Sequence, residues 1–286
     1  MFIIPPNAPS WAREISHAPG MRPITLRQDA YPSREARIVF PHATKTGATG
    51  VVACDVTESP ASVAELLLMA RSMNGLGARY LTLVAPWIAY GRQDRMTTDG
   101  DLPLGIALGD LVSHVFDKII TLDAHSDAFI RSFHGRLRNV IPWEHPEIAE
   151  ITPRGITLII APDHGATRRA RALSRITKIP FIVLDKKRTS SGTRASLSKK
   201  TSRIQCAKAL IIDDMVDRGS TLIGAAKLLR QHGATKVHAI VTHGIAGSPI
   251  LAIRPRELDS LTVLHDHRTG KLHPVAKQLI FSILDR

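Results

Sequence analysis

Residues 209–233 read ALIIDDMVDRGSTLIGAAKLLRQHG: an apolar run, a group of acids, a small-residue turn and an amphipathic segment that ends at Gly233. The run KVHAIVTHG follows at 236–244. Short apolar runs bounded by polar residues are typical of buried strands, and the apolar residues of the intervening segment recur at helical spacing. Strands joined by a helix form a right-handed crossover and pair in parallel. This stretch therefore predicts an α/β fold with a parallel sheet.

The same alternation of apolar runs and helical segments continues along most of the chain. A helix is predicted to begin at Ser59 and Pro60, which suit an N-cap and a first helical position. The segment NVIPWEHPEI has two prolines around an acidic turn and is predicted to be a linker. We therefore expect two α/β domains, at residues 1–146 and 147–286. The other predicted strands are VVACDV, YLTLVAP, KIITLDA, ITLIIAPD and PFIVLD.

The composition is that of a folded globular protein. Of 286 residues, 44% are hydrophobic, which is too many for a disordered chain, and no apolar run approaches the roughly 20 residues of a membrane span. The start MFIIPPNAPS lacks the features of a secretion signal, so we expect a cytoplasmic protein with no membrane partner. Cys54 and Cys206 each adjoin apolar residues, which favours two buried thiols over a disulfide.

The positive charge is concentrated in the second half of the chain. The formal net charge is +13, and residues 1–146 contain 14 basic and 14 acidic side chains, whereas residues 147–286 contain 24 and 11. An anionic ligand is therefore expected in the second half. We expect no nucleic-acid partner, because aromatic side chains that would stack on bases are scarce.

Two stretches hold most of these cations. Residues 167–178, TRRARALSRITK, are predicted to form a helix with a solvated basic face and a buried stripe of Ala170, Leu173 and Ile176. Residues 186–203 contain seven cations and no acid in a Ser/Thr/Gly-rich sequence, which predicts a mobile loop. This loop is either a lid that closes over phosphates or a solvated connection.

Ligands of open parallel sheets bind beyond the carboxyl ends of the strands. Acids and histidines follow three predicted strands, in KIITLDAHSD, ITLIIAPDHG and ALIIDDMVDRGST. The third is the most specific, because Asp213 and Asp214 can accept hydrogen bonds from two sugar hydroxyls while the following helix N-terminus binds a phosphate. This is the layout of a phosphoribosyl-binding loop. The alternative is a capped helix with Ser220 or Thr221 at its N-cap.

Seven motifs in order resemble those of the ribose-phosphate pyrophosphokinases, also called phosphoribosyl pyrophosphate synthases. The resemblance implies an α/β fold of two similar domains of the phosphoribosyltransferase type I kind, each a largely parallel sheet flanked by helices. It also implies a homo-oligomer. The motifs are YPSRE, PWIAYGRQDR, ITLDAHSD, APDHGATRRAR, VLDKKR, LIIDDMVDRGST and VTHGIAGSP.

The resemblance also implies a reaction and the residues that serve it. The reaction is transfer of a diphosphoryl group from ATP, the co-substrate, to the C1 hydroxyl of ribose 5-phosphate, with Mg²⁺ as cofactor, an activity of nucleotide biosynthesis. ATP contacts are implied for Tyr31, Ser33, Glu35, Arg92, Gln93 and Asp94. Ribose 5-phosphate contacts are implied for Asp213, Asp214, Asp217, Arg218, Gly219, Ser220 and Thr221. Magnesium contacts are implied for His125 and Asp163, and catalysis for Lys186 and Arg188 in the flexible loop 186–203.

The phosphate loop departs from the family pattern. Arg218 stands where a threonine is usual, and Ser220 where a glycine is usual. Arg218 either pairs with the 5-phosphate or fills its pocket, and Ser220 is expected to strain the loop if that position needs a positive φ. Three alternatives therefore stay open: a regulatory paralogue that binds nucleotide or a synthase partner, a diphosphokinase for another sugar phosphate, and a phosphoribosyltransferase.

Two further segments depart from the family. In YPSRE, Ser33 stands where an acid or amide that would help to bind adenine is usual. In VLHDHRTG, His265 and His267 replace other residues, and we expect both to lie exposed in a solvated turn. No metal site is predicted there.

Overall fold

The computed structural model describes residues 1–17, 21–40, 49–189, 192–196, 202–245 and 256–284, with backbone alone for 186–189, 192–195 and 202. These residues form two compact units. The first consists of Met1–Val140, Thr269–Lys271 and the residues from Leu279 onward, and the second of Ile141–Arg268 and Leu272–Gln278. Within the described ranges, no helix is long and apolar enough to cross a bilayer.

The first unit is a parallel sheet with helices and one separate hairpin. Its elements are β1 (Phe2–Ile4), α1 (Ser10–Ser16), β2 (Pro23–Thr25), β3 (Arg27–Ala30), β4 (Ala36–Val39), β5 (Thr49–Ala53), α2 (Pro60–Gly75), β6 (Tyr80–Val84), α3 (Leu104–Val115), β7 (Lys118–Leu122), α4 (Asp127–Arg131) and β8 (Leu137–Val140). The sheet order is β2-β1-β5-β6-β7-β8, with parallel pairings throughout. Strands β3 and β4 pair with each other in antiparallel fashion.

Helix α2 illustrates how the sequence sets this packing. It begins as predicted: Ser59 Oγ accepts a hydrogen bond from Ser62 N–H at 3.4 Å, and Pro60 occupies the first turn. Its Leu66 and Ala70 are buried in the same core as the strands. Cys54 also lies in this core, where burial and the neighbouring Asp55 raise the pKa of its thiol.

The second unit repeats this architecture. Its strands and α-helices are β9 (Leu158–Ala161), α5 (Thr167–Thr177), β10 (Phe181–Val183), β11 (Asp185–Thr189), β12 (Gly192–Ser196), β13 (Lys208–Val216), α6 (Ser220–Gln231), β14 (Lys236–Gly244), β15 (Ser260–Asp266) and β16 (Lys271–Leu272). Short 3-10 helices occupy Pro142–Glu144, Pro146–Ile151, His164–Ala166 and Ser202–Ile204. The sheet order is β10-β9-β13-β14-β15-β16, and its first five strands are parallel. Helix α7 (Pro274–Leu284) contains residues of both units.

The two sheets have the same strand order. If the strands of each sheet are numbered from its own first strand, both read 2-1-3-4-5-6, and in both units an antiparallel hairpin follows the second strand. The predicted α/β class with largely parallel sheets is confirmed. The seven predicted strands correspond to β5, β6, β7, β9, β10, β13 and β14.

Several expectations about individual segments are wrong. The division between the two units falls inside the predicted linker NVIPWEHPEI, after Val140, but the segment is folded: its two 3-10 helices pack beside α5, so that Trp143 and Ile148 are fully buried. Cys206 is exposed, at a turn where its φ is +58°. The segment predicted as one long loop contains hairpin β11–β12. Its predicted mobility remains a prediction.

Candidate active site

The second unit brings polar side chains to one edge of its sheet. Strand β13 pairs in parallel with β9 and β14, so the residues that follow these strands lie along the same edge. Near the end of β13, Asp213 is half-buried and Asp214 is buried. Asp214 N–H donates to the Asp213 carboxylate at 3.0 Å. The two carboxyl groups also interact with each other through their side chains, so they lie close together near the end of the strand.

A buried arginine faces one of these acids. The Arg169 guanidinium, on α5, lies 3.6 Å from the Asp214 carboxylate, and the two side chains are only 10% and 8% exposed. Arg169 also donates to the carbonyl of Gly165 at 3.3 Å. An isolated buried carboxylate is costly, so this counter-charge stabilises Asp214.

The sequence pattern predicted a solvated basic face for this helix, and no buried role was predicted for Arg169. Ala170 and Leu173 are buried as predicted, and Ile176 is half-buried. The spacing of residues in this helix nevertheless indicated that Arg169 lies on the buried face. Arg169 lies four residues before Leu173, which places both on the same face of α5.

The environment of Asp213 strongly perturbs the pKa of its carboxyl group. Its burial raises the pKa of its carboxyl well above the usual value, the negative charges of Asp214 and Asp163 raise it further, and Arg169 partly opposes them. Asp163 therefore belongs to the same electrostatic cluster. A bound cation, or ligand hydroxyls that donate hydrogen bonds, would stabilise the charged form of this cluster.

The loop after the acid pair leads directly into α6. Gly219 is the N-cap, with φ +79°, and no side chain caps the helix, so the alternative of a helix capped by Ser220 or Thr221 does not apply. The positive φ falls on the glycine, and Ser220 begins the helix with an ordinary negative φ. The strain expected at Ser220 is therefore absent. Asp217 and Arg218 are exposed beside this helix N-terminus, which is suited to an anion.

Asp163 is held at the end of β9. Its carboxylate accepts a hydrogen bond from Ala166 N–H at 3.3 Å and caps a 3-10 turn, while the side chain stays half-buried. The next residue, His164, contacts the carboxylate of Asp185 at 3.0 Å through its Nε2. That contact joins the end of β9 to the base of hairpin β11–β12.

The predicted catalytic pair is on the first strand of that hairpin. Lys186 pairs across it with Ala195, and Arg188 with Thr193. The side chains of this pair lie outside the described atoms, so their catalytic role remains a prediction.

The first predicted ATP segment forms the turn of hairpin β3–β4 in the first unit. Tyr31 N–H donates to the Glu35 carbonyl at 3.0 Å, and Ser33 Oγ donates to the Glu35 carboxylate at 2.8 Å. Arg34 has a φ of +66° in this turn. The Tyr31 side chain is 53% exposed, which leaves its ring accessible to a ligand.

The second predicted ATP segment lies between β6 and α3. Arg92 and Gln93 are exposed and Asp94 is half-buried. The Gln93 carbonyl accepts a hydrogen bond from Gly105 N–H at 3.0 Å, which anchors the segment to the start of α3. Gly105 is required there, because a Cβ atom would lie 2.4 Å from the carbonyl oxygen of Tyr90.

The other predicted magnesium ligand, His125, is exposed in the short turn between β7 and α4. The turn is fixed at its two sides: Asp123 N–H donates to the Val140 carbonyl at 2.7 Å, and Ser126 Oγ accepts from Phe129 N–H at 3.2 Å. His125 belongs to the first unit and Asp163 to the second. Their joint role as metal ligands remains a prediction.

Comparison with known proteins identifies the family. The N-terminal domain of ribose phosphate pyrophosphokinase matches residues 2–142, and the phosphoribosyl transferase domain matches residues 137–260. The ribose-phosphate pyrophosphokinase of Pyrococcus furiosus is 33% identical over 216 residues, 74% of this chain and 75% of that protein. That of Thermococcus kodakarensis is 32% identical over 202 residues, 70% and 71% of the two chains. This chain belongs to the ribose-phosphate pyrophosphokinase family.

A solved structure shows the same fold over almost the whole chain. Phosphoribosylpyrophosphate synthetase from Mycobacterium smegmatis superposes with a TM-score of 0.79, covers 99% of this chain and 98% of its own, and is 20% identical. The fold implied by the sequence motifs is therefore confirmed for this member of the pyrophosphokinase family.

One expectation for the C-terminal part of this pyrophosphokinase family member is wrong. His265 is completely buried and His267 is half-buried, whereas both were expected in a solvated turn. His265 lies within β15, whose alternating pattern SLTVLHD was not recognised as a strand. His265 follows Val263 by two positions, so the two side chains lie on the same face of β15. Assignment of the strand would therefore have predicted that His265 is buried.

Proposed function

We propose that this chain is an active ribose-phosphate diphosphokinase. It transfers the β,γ-diphosphoryl group of Mg²⁺-bound ATP to the C1 hydroxyl of ribose 5-phosphate and releases phosphoribosyl diphosphate and AMP. The observation that carries the proposal is the acid pair Asp213 and Asp214, held by Arg169 beside the N-terminus of α6. This arrangement suits a sugar phosphate, since it offers acceptors for hydroxyls next to donors for a phosphate.

Binding of the sugar phosphate follows from this geometry. Backbone N–H groups of the first turn of α6 donate to the 5-phosphate, and Gly219 lets that phosphate approach the backbone closely. Asp213 and Asp214 accept hydrogen bonds from the ribose hydroxyls, while Arg169 fixes the orientation of Asp214. Arg218, exposed at the same loop, adds a positive charge to the phosphate site.

The cluster formed by Asp163, Asp213 and Asp214 also fits the proposed metal. Magnesium prefers oxygen ligands, and Asp163 provides a half-buried carboxylate whose charge already acts on Asp213. Asp163 and His125 would hold the ion, which neutralises charge on the ATP phosphates when bound. Tyr31, Gln93 and their neighbours in the two predicted ATP segments would hold the nucleotide.

The proposed catalytic groups act by charge. Lys186 and Arg188 would stabilise the negative charge that develops on the diphosphoryl group during transfer, because preorganised cations are most effective in a site that excludes water. The proposal includes a homo-oligomer and a cytoplasmic location, as the family resemblance and composition predict.

The test is AMP formation from ATP, Mg²⁺ and ribose 5-phosphate. Lys186→Ala should lower kcat by about 100-fold or more, since it removes a cation that acts in the transition state. Lys271→Ala changes an exposed lysine on β16, the strand at the far edge of the sheet from β10, and serves as the control, with unchanged kcat expected.

The same assay distinguishes the proposed activity from two alternatives in which the phosphate loop has a different role. If native protein releases no AMP but Arg218→Thr does, the phosphate loop serves another sugar phosphate or a regulatory role. If neither protein releases AMP, the proposed activity is wrong.

A further inference from the structure

Three histidines converge at the carboxyl ends of β14 and β15. His243 and His265 are direct neighbours in the parallel register of these strands, and His267 follows two residues after His265. His243 is 1% exposed, His265 is 0% exposed, and His267 is half-buried. We refer to these residues as the three-histidine cluster.

The cluster is formed by the sheet itself. Val241 and Val263 precede His243 and His265 by two positions, so they share a face of the sheet with the histidines, and both valines pack in the hydrophobic core. Beyond the strand end, His267 N–H donates to the Gly244 carbonyl at 3.0 Å, which extends the pairing of the two segments. The positions of the three imidazoles are therefore set by backbone pairing.

The imidazoles are close enough to bind one ion. One ring nitrogen of each histidine can be chosen so that the three lie within 4.8 Å of one another, and the ring centroids are 4.4 to 5.7 Å apart. Two nitrogens bound to one tetrahedral zinc ion are separated by about 3.3 Å, given Zn–N bonds of about 2.0–2.1 Å. Small side-chain rotations would close that difference.

The chemistry of the donors selects the class of metal. Imidazole suits zinc and neighbouring transition metals, whereas magnesium prefers oxygen ligands. Within the described part of the chain, no carboxylate or thiol belongs to this cluster. Three protein ligands leave one position of a tetrahedral ion open to water or another small ligand.

We propose that the three-histidine cluster binds a divalent transition-metal ion, with Zn²⁺ as the best match, at a site separate from that of the magnesium. Met215 of β13 is the neighbour of His243 on the other side, so the ion lies one strand away from the sugar-phosphate loop that follows β13. This site does not depend on the proposed diphosphokinase activity.

Cobalt provides a visible probe for the site. The native chain, stripped of metal with a chelator and kept in excess Mg²⁺ to occupy oxygen sites, is titrated with Co²⁺. One equivalent should produce the strong visible absorption of tetrahedral cobalt, and Zn²⁺ should abolish it by displacement. Absence of this absorption in the native protein would overturn the proposal.

A matched pair of variants assigns the ligands. His267→Gln removes the least buried ligand and should weaken Co²⁺ binding by about 10-fold or more. His238→Gln is the control: this residue is on the same strand as His243 but contacts the hydroxyl of Ser260 at 2.8 Å, so binding should not change. Equal affinities in both variants and the native chain would exclude this site.

A second measurement covers the case in which His267→Gln does not fold. X-ray absorption of zinc bound to the native chain counts its imidazole ligands directly. Three imidazoles are expected, and fewer than three would contradict the proposal.

Discussion

At the scale of single residues, the buried pair of Arg169 and Asp214 is the most consequential contact. Replacing Arg169 with Met would leave the Asp214 carboxylate buried without its counter-charge, and we expect a loss of about 3 kcal/mol in the free energy of unfolding. The measurement is urea denaturation at neutral pH.

The adjacent arginine is a stringent control for this prediction. Arg168 contacts Glu144 at 3.1 Å, but its side chain is 63% exposed, so Arg168→Met should cost less than about 1 kcal/mol. Similar losses in both variants would show that the buried pair has no special role.

The sequence predicted the position of the acid pair near the end of a strand, because that position depends on one strand and the loop after it. Asp213 and Asp214 follow an apolar run, and that local pattern was sufficient. Arg169 and the histidines were missed for the opposite reason. Their burial depends on which elements pack together, and a helix with four arginines resembles a solvated one when only its own sequence is considered.

At the scale of elements, Asp259 joins the end of α6 to the start of β14. It accepts hydrogen bonds from Val237 N–H at 2.8 Å and from Lys236 Nζ at 2.9 Å, and it pairs with Arg230. Burial alone would raise the pKa of Asp259, but these hydrogen bonds and the two cations lower it to about 2.

The lowered pKa predicts a dependence of stability on pH. Because the folded state binds its proton less readily than the unfolded state, the stabilisation is complete above about pH 5 and is lost as the pH falls towards 2. Asp259→Asn should therefore lower the free energy of unfolding by about 2 kcal/mol at pH 7 and by much less near pH 2.

Urea unfolding of both proteins at the two pH values measures this difference. Asp29→Asn is the comparison, because Asp29 is in an exposed pair with Arg37 at 3.7 Å and should have little effect. A cost for Asp259→Asn that is the same at both pH values would disprove the electrostatic explanation.

Element prediction succeeded for strands within continuous apolar runs, including the short β9 and β10, and failed for several other short or mixed strands. Strands β1, β2 and β8 have three or four residues each, too few for a reliable periodic signal. In β15, serine and threonine alternate with Leu261 and Val263, and His265 follows on the face of these apolar residues, which obscured the pattern. Serine and threonine are the usual capping residues, but the N-cap of α6 is Gly219, because this loop needs a positive φ that glycine supplies.

At the scale of the whole molecule, the charge distribution predicts how substrate binding responds to salt. The entire excess of +13 lies in residues 147–286, which include the proposed sugar-phosphate site. Salt screens exposed charges, so the KM for ribose 5-phosphate should rise about 3-fold between roughly 0.05 and 0.3 M KCl. Steady-state kinetics measure this change.

Sucrose at matched osmolarity is the control, because it alters water activity without screening charge. A KM that does not change with KCl would mean that the basic side chains of the second half lie too far from the bound phosphate to attract it.

The repeated topology has a historical consequence. In each unit the antiparallel hairpin starts two residues after the edge strand ends: β3 begins at Arg27 after Thr25, and β11 begins at Asp185 after Val183. Hairpins at the equivalent point of two sheets with the same strand order are the pattern expected of a tandem gene duplication. The two hairpins differ in sequence: one contains the YPSRE turn, and the other carries Lys186 and Arg188.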